Sequence, residues 1–192
     1  MKTKLLLFAF LLFNLSGVNA QKVQNLPKVQ FVLDYHYNLG IIERGDLYNI
    51  NRSDYHMYGN SLRLSALYNL NPKLALGAGI GLDRYEAIGH NTLPVFATCY
   101  YSPLTKLPRA YVYSNLGYAI GNETHFTRGM LFDLGIGYRK MFKKHFGLNF
   151  QIGYNLKQFR GDRLNWWDTD EIVVEKYSQF RHSLSIGFGF IF

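Results

Sequence analysis

Apolar and polar residues alternate at every second position in eight separate segments of the chain, and this pattern constrains the fold more than any other feature. The clearest segment is 146–156, where Phe, Leu, Ile and Tyr at even positions alternate with Gly, Asn and Gln at odd positions. A period of two places successive side chains on opposite faces of a β-strand. Each glycine costs about 1 kcal/mol in a helix relative to alanine, so the glycine-rich face also argues against helix.

Seven further segments repeat the alternation with different clarity. Residues 74–83 and 183–192 alternate almost as regularly as the first segment. In two segments the pattern does not show which face is turned toward lipid. One of them begins near Pro94, and in the other Tyr111 and Tyr113 share a face with Asn115. The seven predicted strands are 31–38, 62–69, 74–83, 93–101, 110–120, 132–139 and 183–192. The sequence therefore predicts an all-β chain of eight strands.

The connections between these strands fall into two groups. Those after the second, fourth and sixth strands are short, at 71–73, 103–108 and 143–145. Those after the first, third, fifth and seventh are mostly longer and more polar, at 41–57, 87–92, 122–128 and 161–178. Outer-membrane barrels show this alternation of short periplasmic turns and long external loops. No apolar run of helix-spanning length follows Phe13, so we expect an eight-stranded antiparallel transmembrane up-and-down β-barrel.

The N-terminal residues have the pattern of an export signal. Lys2 and Lys4 precede an apolar run from Leu5 to Phe13, and small residues lead to Ala20. A helix needs about 20 apolar residues to span a bilayer, and this run is only about half that long. We therefore predict a cleaved signal peptide at 1–20 and one barrel domain at 21–192.

The chain resembles the small eight-stranded outer-membrane barrels of the OmpA, OmpX and OmpW type over essentially its whole predicted mature length. The resemblance rests on the signal peptide, the strand count, the asymmetry of the connections and the terminal residues 187–192, Gly-Phe-Gly-Phe-Ile-Phe. It implies location in a bacterial outer membrane. It also implies that Phe188, Phe190 and Phe192 form the signal for the assembly machinery and its periplasmic chaperones. The lumen face, rich in glycine and tyrosine, resembles barrels from the Bacteroidetes.

Charged residues of the predicted strands test the assignment of the two faces. A lysine or arginine that faces lipid near the bilayer centre costs roughly 2–4 kcal/mol, so strand charges belong on the polar face. Six of them do lie there, and they form the predicted polar network of a lumen that side chains fill. They are Asp34, Arg63, Asp83, Asp133, Arg139 and Lys157.

A soluble barrel of the lipocalin kind is the main alternative, with the apolar face turned inward. It would expose to water a row of glycines that includes Gly79, Gly135 and Gly187, whereas in a narrow lumen these glycines make room for larger side chains. Aromatic residues near the short connections also favour a membrane, because such residues form girdles at its interfaces. The predicted girdle contains Tyr68, Tyr101, Tyr138, Phe146 and Phe192.

Composition limits the partners. The formal charge is +8, and loss of Lys2 and Lys4 with a signal peptide leaves about +6, which suits outer-membrane lipid and lipopolysaccharide. The basic residues are scattered, so we expect no nucleic-acid partner. Four histidines, His56, His90, His125 and His145, are spread over different connections without metal-ligand spacing, so we expect no metal and no cofactor. Cys99, the single cysteine, is interpreted as a small apolar residue of a membrane strand.

The most specific catalytic hypothesis concerns the two strands that close the barrel. Counting from their turn ends places His36 and Asp34 roughly opposite Ser183 and Ser185, as a nucleophilic triad in a lipid hydrolase would require. The sequence matches none of the active-site motifs of the lipid A deacylase or palmitoyltransferase families. We therefore predict a non-enzymatic barrel that acts in envelope integrity or through its external loops. A lipid-modifying enzyme and a narrow channel for small or apolar molecules are the alternatives.

Overall fold

The computed structural model describes residues 27–87, 89–121, 125–143, 145–165 and 173–192, and in 163–165 and 173–175 only the backbone. The predicted signal peptide and the loop tryptophans Trp166 and Trp167 lie outside the described residues. In the described residues there are nine strands. They are β1 Val29–Gly45, β2 Asn49–Asn51, β3 Tyr58–Asn69, β4 Leu74–Tyr85, β5 His90–Tyr101, β6 Ala110–Ile120, β7 Gly129–Lys143, β8 Phe146–Asn165 and β9 Val173–Ile191.

Eight of these strands form one closed antiparallel barrel. The sheet order is β2-β1-β3-β4-β5-β6-β7-β8-β9, and pairing of β1 with β9 closes the cylinder. The short strand β2 pairs only with the outer end of β1 and stands outside the barrel wall. The up-and-down order of neighbouring strands confirms the predicted fold class. In the described part of the chain, no helix is long and apolar enough to cross a membrane.

The stagger of the strands determines how wide the barrel is. Each residue of the wall has a partner on the next strand. A path that starts at Val32 and passes from partner to partner through all eight strands returns to β1 at Glu43, eleven residues beyond Val32. One of these positions is the extra residue of the bulge between Gly40 and Ile42, which leaves a stagger of ten. With eight strands, this stagger tilts the strands by about 40° and leaves an interior that side chains fill.

The two faces of the wall have the polarity expected in a membrane. On β8, Ile152 is 46% exposed while its neighbour Gln151 is 5% exposed. The same alternation repeats on every barrel strand, with apolar side chains outside and mostly polar side chains inside. On β6, whose facing the sequence left open, Tyr111, Tyr113 and Asn115 all point inward. The soluble-barrel alternative is therefore wrong, because it requires the opposite facing.

Glycines on the inner face make room for the large side chains of the lumen. A Cβ atom placed on Gly135 would lie 2.7 Å from the ring of Tyr113, and one on Gly153 would lie 2.6 Å from its hydroxyl. A Cβ atom on Gly187 would lie 2.6 Å from the ring of His36. These distances are shorter than van der Waals contact, so each ring occupies the space left by the missing side chain.

The barrel has a turn end, where β3–β4, β5–β6 and β7–β8 are joined, and a loop end opposite. The turns lie where predicted, but the predicted loops at 41–57, 87–92 and 161–178 contain much more strand than expected. Pairing of β8 with β9 continues to Asn165 and Val173 because backbone groups beyond the apolar belt still gain partners there. Likewise, β1 runs to Gly45 and β5 begins at His90.

Aromatic side chains surround the turn end on the outside. Phe31 stacks on Phe192 with ring centroids 6.1 Å apart, and Phe146 stacks on Phe190 at 6.5 Å. The five residues of the predicted girdle lie in the same zone, four of them exposed and Tyr138 half-buried. Such a ring suits the boundary between hydrocarbon and headgroups.

Candidate functional site

Four charged side chains form an ion-pair cluster in the middle of the lumen. Arg63 bridges two carboxylates, since it donates a hydrogen bond to Asp133 and its Nε lies 3.6 Å from Oδ1 of Asp83. Lys157 Nζ lies 3.3 Å from Oδ2 of the same Asp83. All four residues are nearly or fully buried. Two cations and two anions thus balance one another where water cannot solvate them.

Neutral side chains donate further hydrogen bonds to both carboxylates, although Oδ1 of Asp83 has no hydrogen-bond partner among the described residues. Asp133 accepts hydrogen bonds from Asn155 at 2.6 Å and from Asn115 at 2.9 Å. Asp83 accepts one from the hydroxyl of Thr92 at 3.1 Å. Hydrogen bonds to a buried charge offset a part of the cost of removing it from water. The cluster therefore joins β3, β4, β5, β6, β7 and β8 into one polar core.

The other two residues of the predicted network make their hydrogen bonds outside this cluster, although Asp34 is the cross-strand neighbour of Arg63. Asp34 accepts a hydrogen bond from Asn149 at 2.8 Å. Arg139 donates one to the hydroxyl of Ser102 at 3.3 Å, and its guanidinium lies over the ring of Tyr111 at 5.8 Å. The structure therefore brings four of the six residues together and places the other two separately.

A layer of tyrosines closes the lumen near the turn end. The rings of Tyr100 and Tyr111 stack with centroids 4.6 Å apart, and both are buried. Gln151 donates hydrogen bonds of 2.9 Å to both hydroxyls, and Tyr111 donates one to Asn149. This layer was not predicted as a site, although the parity of Tyr111 and Tyr113 on β6 indicated one shared face.

A second closed layer lies at the loop end. Arg181 and Glu43 are both fully buried and form an ion pair of 2.5 Å, and Tyr48 donates a hydrogen bond of 2.6 Å to Glu43. The arginine also lies over the rings of Tyr85 and Phe159 at 5.5 and 5.6 Å. Burial, together with the hydrogen bond to Glu43, raises the pKa of the Tyr48 hydroxyl above its ordinary value.

The alternation in the sequence predicts the inward facing of only one member of this outer ion pair. Arg181 continues the inward parity of Ser183, Ser185 and Gly187 by one more step along β9. Glu43 does not continue the even-numbered inward parity of β1, because the bulge between Gly40 and Ile42 shifts it by one residue. A bulge of this kind leaves no reliable trace in a period-two pattern.

The catalytic candidates lie inside the lumen. Ser183 and Ser185 are paired with Gly40 and Asn38 of β1, two inward steps nearer the loop end than expected. The ring Nδ1 of His36 nevertheless lies 3.2 Å from Oγ of Ser185, so a serine and a histidine do meet. The third member of the hypothetical triad, Asp34, is engaged by Asn149 instead.

The burial of His36 and Ser185 limits which substrates can reach them. His36 is 3% exposed and Ser185 is 4% exposed, and both point into the packed interior. A nucleophile for a lipid ester must reach the membrane or the surface. In the described residues there is also no group of three histidine, cysteine or acidic side chains that could hold a metal ion.

Comparison with known proteins gives likeness in shape alone. No family model and no curated protein matches the chain. Neisserial surface protein A is 15% identical, with 84% of this chain and 96% of that chain covered and a TM-score of 0.43. A designed transmembrane β-barrel is 15% identical over 85% and 98%, with a TM-score of 0.39. An outer-membrane channel from Pseudomonas putida F1 is 11% identical over 91% and 100%, with a TM-score of 0.35. No activity is transferred from these proteins.

Proposed function

We propose that this protein is a non-enzymatic barrel of a bacterial outer membrane, which contributes to envelope integrity and presents its loop end as an interaction surface. The observation that carries the proposal is the filled lumen. Its polar interior is closed in succession by the tyrosine layer, the ion-pair cluster and the outer Arg181–Glu43 pair. A barrel with this interior acts through its outer wall and its ends.

The outer-membrane location is supported by the polarity of the wall and by the N-terminal sequence. The apolar outer face suits lipid, and the predicted export signal at 1–20 agrees with a location beyond the inner membrane. The side chains of Phe188 and Phe190 on β9, and that of Phe192 directly after it, are exposed on the outside of the barrel. We propose that they are the assembly signal for the insertion machinery and periplasmic chaperones.

The loop end offers the interaction surface. β1, β8 and β9 extend beyond the apolar belt, and β2 adds to β1 there, so that four strands continue as a sheet in the order β2-β1-β9-β8. The extension of β8 up to Asn165 has no barrel neighbour beyond the isolated bridge from Arg128 to Arg160 within the described residues. An unpaired strand edge of this kind can accept a strand from another protein.

The alternative of a lipid-modifying enzyme has one favourable observation, the contact between His36 and Ser185. Both side chains are enclosed by the barrel wall, and an acyl chain has no route to them. The alternative of a narrow channel is disfavoured for a related reason, since desolvated ion pairs and stacked rings occupy the path of a permeating molecule.

Conductance in planar lipid bilayers tests the proposal. The refolded protein is expected to give no discrete conductance steps at 1 M salt, whereas an open porin measured in the same bilayers gives them. The lipid profile of cells with and without the protein, and with Ser185→Ala, is expected to be unchanged. Steady conductance steps would contradict the filled lumen, and a lipid change that depends on Ser185 would contradict the non-enzymatic assignment.

A further inference from the structure

A groove lies on the outer wall of the barrel at its turn end. It has a volume of about 480 Å³ and spans β6, β7 and β8. Outward side chains such as Val112, Ile136 and Phe150 line it, and they are 37%, 61% and 42% exposed. Leu104 of the connection between β5 and β6 borders it as well. The groove therefore lies on the lipid side of the wall that carries the tyrosine layer.

The small side chain of Ala110 explains why the wall is recessed at this point. Ala110 is paired with Tyr138, and Tyr138 is paired with Phe150, so the three residues form one row across β6, β7 and β8. Two members of the row are large rings, whereas Ala110 has a single methyl group. The pairing of β5 with β6 reaches only as far as Val112. The recess beside Ala110 is apolar and ends at Tyr138, a residue of the aromatic girdle.

Two cationic side chains lie at the edge of the groove, where the girdle marks the membrane interface. Arg109 directly precedes Ala110, and its Nη1 donates a long hydrogen bond of 3.5 Å to the hydroxyl of Tyr138. Lys140 lies two residues beyond Tyr138 on the outward face of β7. The Nε of Arg109 is buried and has no hydrogen-bond partner among the described residues. Such a donor favours an acceptor from outside the protein.

The turn end contains no acidic side chain that could pair with these cations. No aspartate or glutamate occurs before Asp34 or in the four other segments that reach the turn end, 64–82, 87–122, 134–161 and 176–192. All 13 acidic residues of the chain belong to the lumen or to segments at the loop end. This holds for Glu123 and Asp168 too, because their connections leave and re-enter the barrel at the loop end. The terminal carboxylate of Phe192 lies at the turn end, but the basic residues there outnumber it.

The charge of the turn end determines which lipid headgroup suits the groove. The basic residues of this end are Lys28, Lys73, Lys106, Arg109, Lys140, Lys143 and Lys144. A phosphate accepts hydrogen bonds from a guanidinium group and is attracted by a lysine. The ammonium group of a zwitterionic headgroup would find no acidic side chain here. A headgroup with a net negative charge is therefore favoured.

We propose that the groove binds an anionic phospholipid of the leaflet at the turn end. One acyl chain lies in the groove over Ala110 and Val112, and Arg109 and Lys140 hold the phosphate at the girdle. A free anion would contact only the cationic edge and leave the apolar groove without a ligand, so the groove favours a lipid. The inference rests on the proposed outer-membrane location and names the lipid class that the turn end selects.

Lipid binding by the refolded protein in a neutral detergent tests this inference. The probes are phosphatidylglycerol and phosphatidylcholine with identical acyl chains, and native mass spectrometry measures the bound fraction of each. The unmodified protein is expected to bind phosphatidylglycerol about tenfold more tightly, because two cations contact its headgroup. Arg109→Gln combined with Lys140→Gln is expected to abolish this preference. Altered gel migration before boiling verifies that each variant is folded.

Lys28→Gln combined with Lys73→Gln is the matched control for charge. It removes two exposed cations of the turn end that lie outside the groove, one next to β1 and one between β3 and β4. This control is expected to retain the preference for phosphatidylglycerol. An equal loss in the control would overturn the inference, because the preference would then come from the overall charge of the turn end.

Ala110→Phe tests the acyl-chain part of the site without changing the charge. The added ring fills the groove, so binding of phosphatidylglycerol is expected to weaken by about tenfold. Unchanged binding would overturn the inference, and so would displacement of the lipid by millimolar glycerol 3-phosphate, which would indicate a site for free anions. Equal binding of the two lipids by the unmodified protein would overturn this inference and leave the proposed function intact, whereas conductance steps would contradict the proposed function alone.

Discussion

At the scale of single residues, the barrel stabilises buried charge by pairing it within hydrogen-bond reach. Arg63 contacts both Asp83 and Asp133, so that no member of the cluster is buried without an opposite charge. Taking a charged group out of water costs several kcal/mol, and only a close partner with good geometry offsets this cost. Removal of one member should therefore cost more than the pair contributes when it is intact.

Replacement of Arg63 by methionine is expected to destabilise the barrel by about 3–5 kcal/mol, because it leaves buried carboxylates without their shared cation. The matched change Arg84→Met at the exposed Arg84–Glu86 pair is expected to have little effect, since surface ion pairs contribute little. Guanidinium unfolding of the protein in lipid vesicles, followed by circular dichroism, measures both changes.

A second substitution separates unpaired charge from lost packing. If the charge is responsible, Asp133→Asn in the Arg63→Met background recovers a part of the lost stability. No recovery would mean that the guanidinium acts mainly as a space-filling group against Phe96, over whose ring it lies at 5.6 Å. Equal destabilisation by Arg63→Met and Arg84→Met would contradict the buried cluster altogether.

The sequence predicted which side chains enter the lumen better than it predicted which of them meet. Parity along a strand placed Asp34, Arg63 and Arg139 on the inner face. Their partners depend on the stagger of the whole barrel, which no single segment encodes. Asp34 and Arg139 therefore make their hydrogen bonds outside the cluster. His36 is paired with Gly187 rather than Ser183, two inward steps from the predicted register.

At the scale of the strand, each element has two faces that lie in different solvents. The sequence predicted all eight barrel strands and the three turns, because the alternation is strongest where lipid and lumen impose opposite demands on neighbouring residues. It failed at the loop ends. Beyond the belt both faces are wet, so polar residues such as Arg160 and Asp162 occur within a regular strand and resemble a loop.

Depth along a strand determines the cost of an outward charge, and two isoleucines test this. Ile152 lies in the middle of the belt on β8, and Ile120 is the last residue of β6 at the loop end. Ile152→Arg is expected to lower stability in lipid by about 2–4 kcal/mol, and Ile120→Arg by about 0–1 kcal/mol. Guanidinium unfolding in vesicles of one lipid composition compares them, and equal costs would contradict the assigned depth.

At the scale of the whole molecule, closure and stagger determine the width of the lumen. Eight strands with a stagger of ten leave no room for a pore once residues such as Tyr111, Arg63 and Arg181 point inward. The proposed function therefore places recognition at the outer wall and the loop end. The strand count and the facing were evident from the sequence, whereas the Arg181–Glu43 pair required the three-dimensional pairing of β1 with β9.

The central claim is that one face of each strand contacts lipid and the other face never does. Methyl groups lie on both faces, so the claim can be tested without any amino-acid substitution. In lipid nanodiscs, nuclear Overhauser effects between lipid acyl chains and protein methyl groups report this contact directly. Cross-peaks are expected for the outward residues Ile80, Ile152 and Ile186, and none for the inward residues Val32, Leu67 and Leu131. The opposite set of cross-peaks, or acyl-chain contact with both sets, would contradict the account.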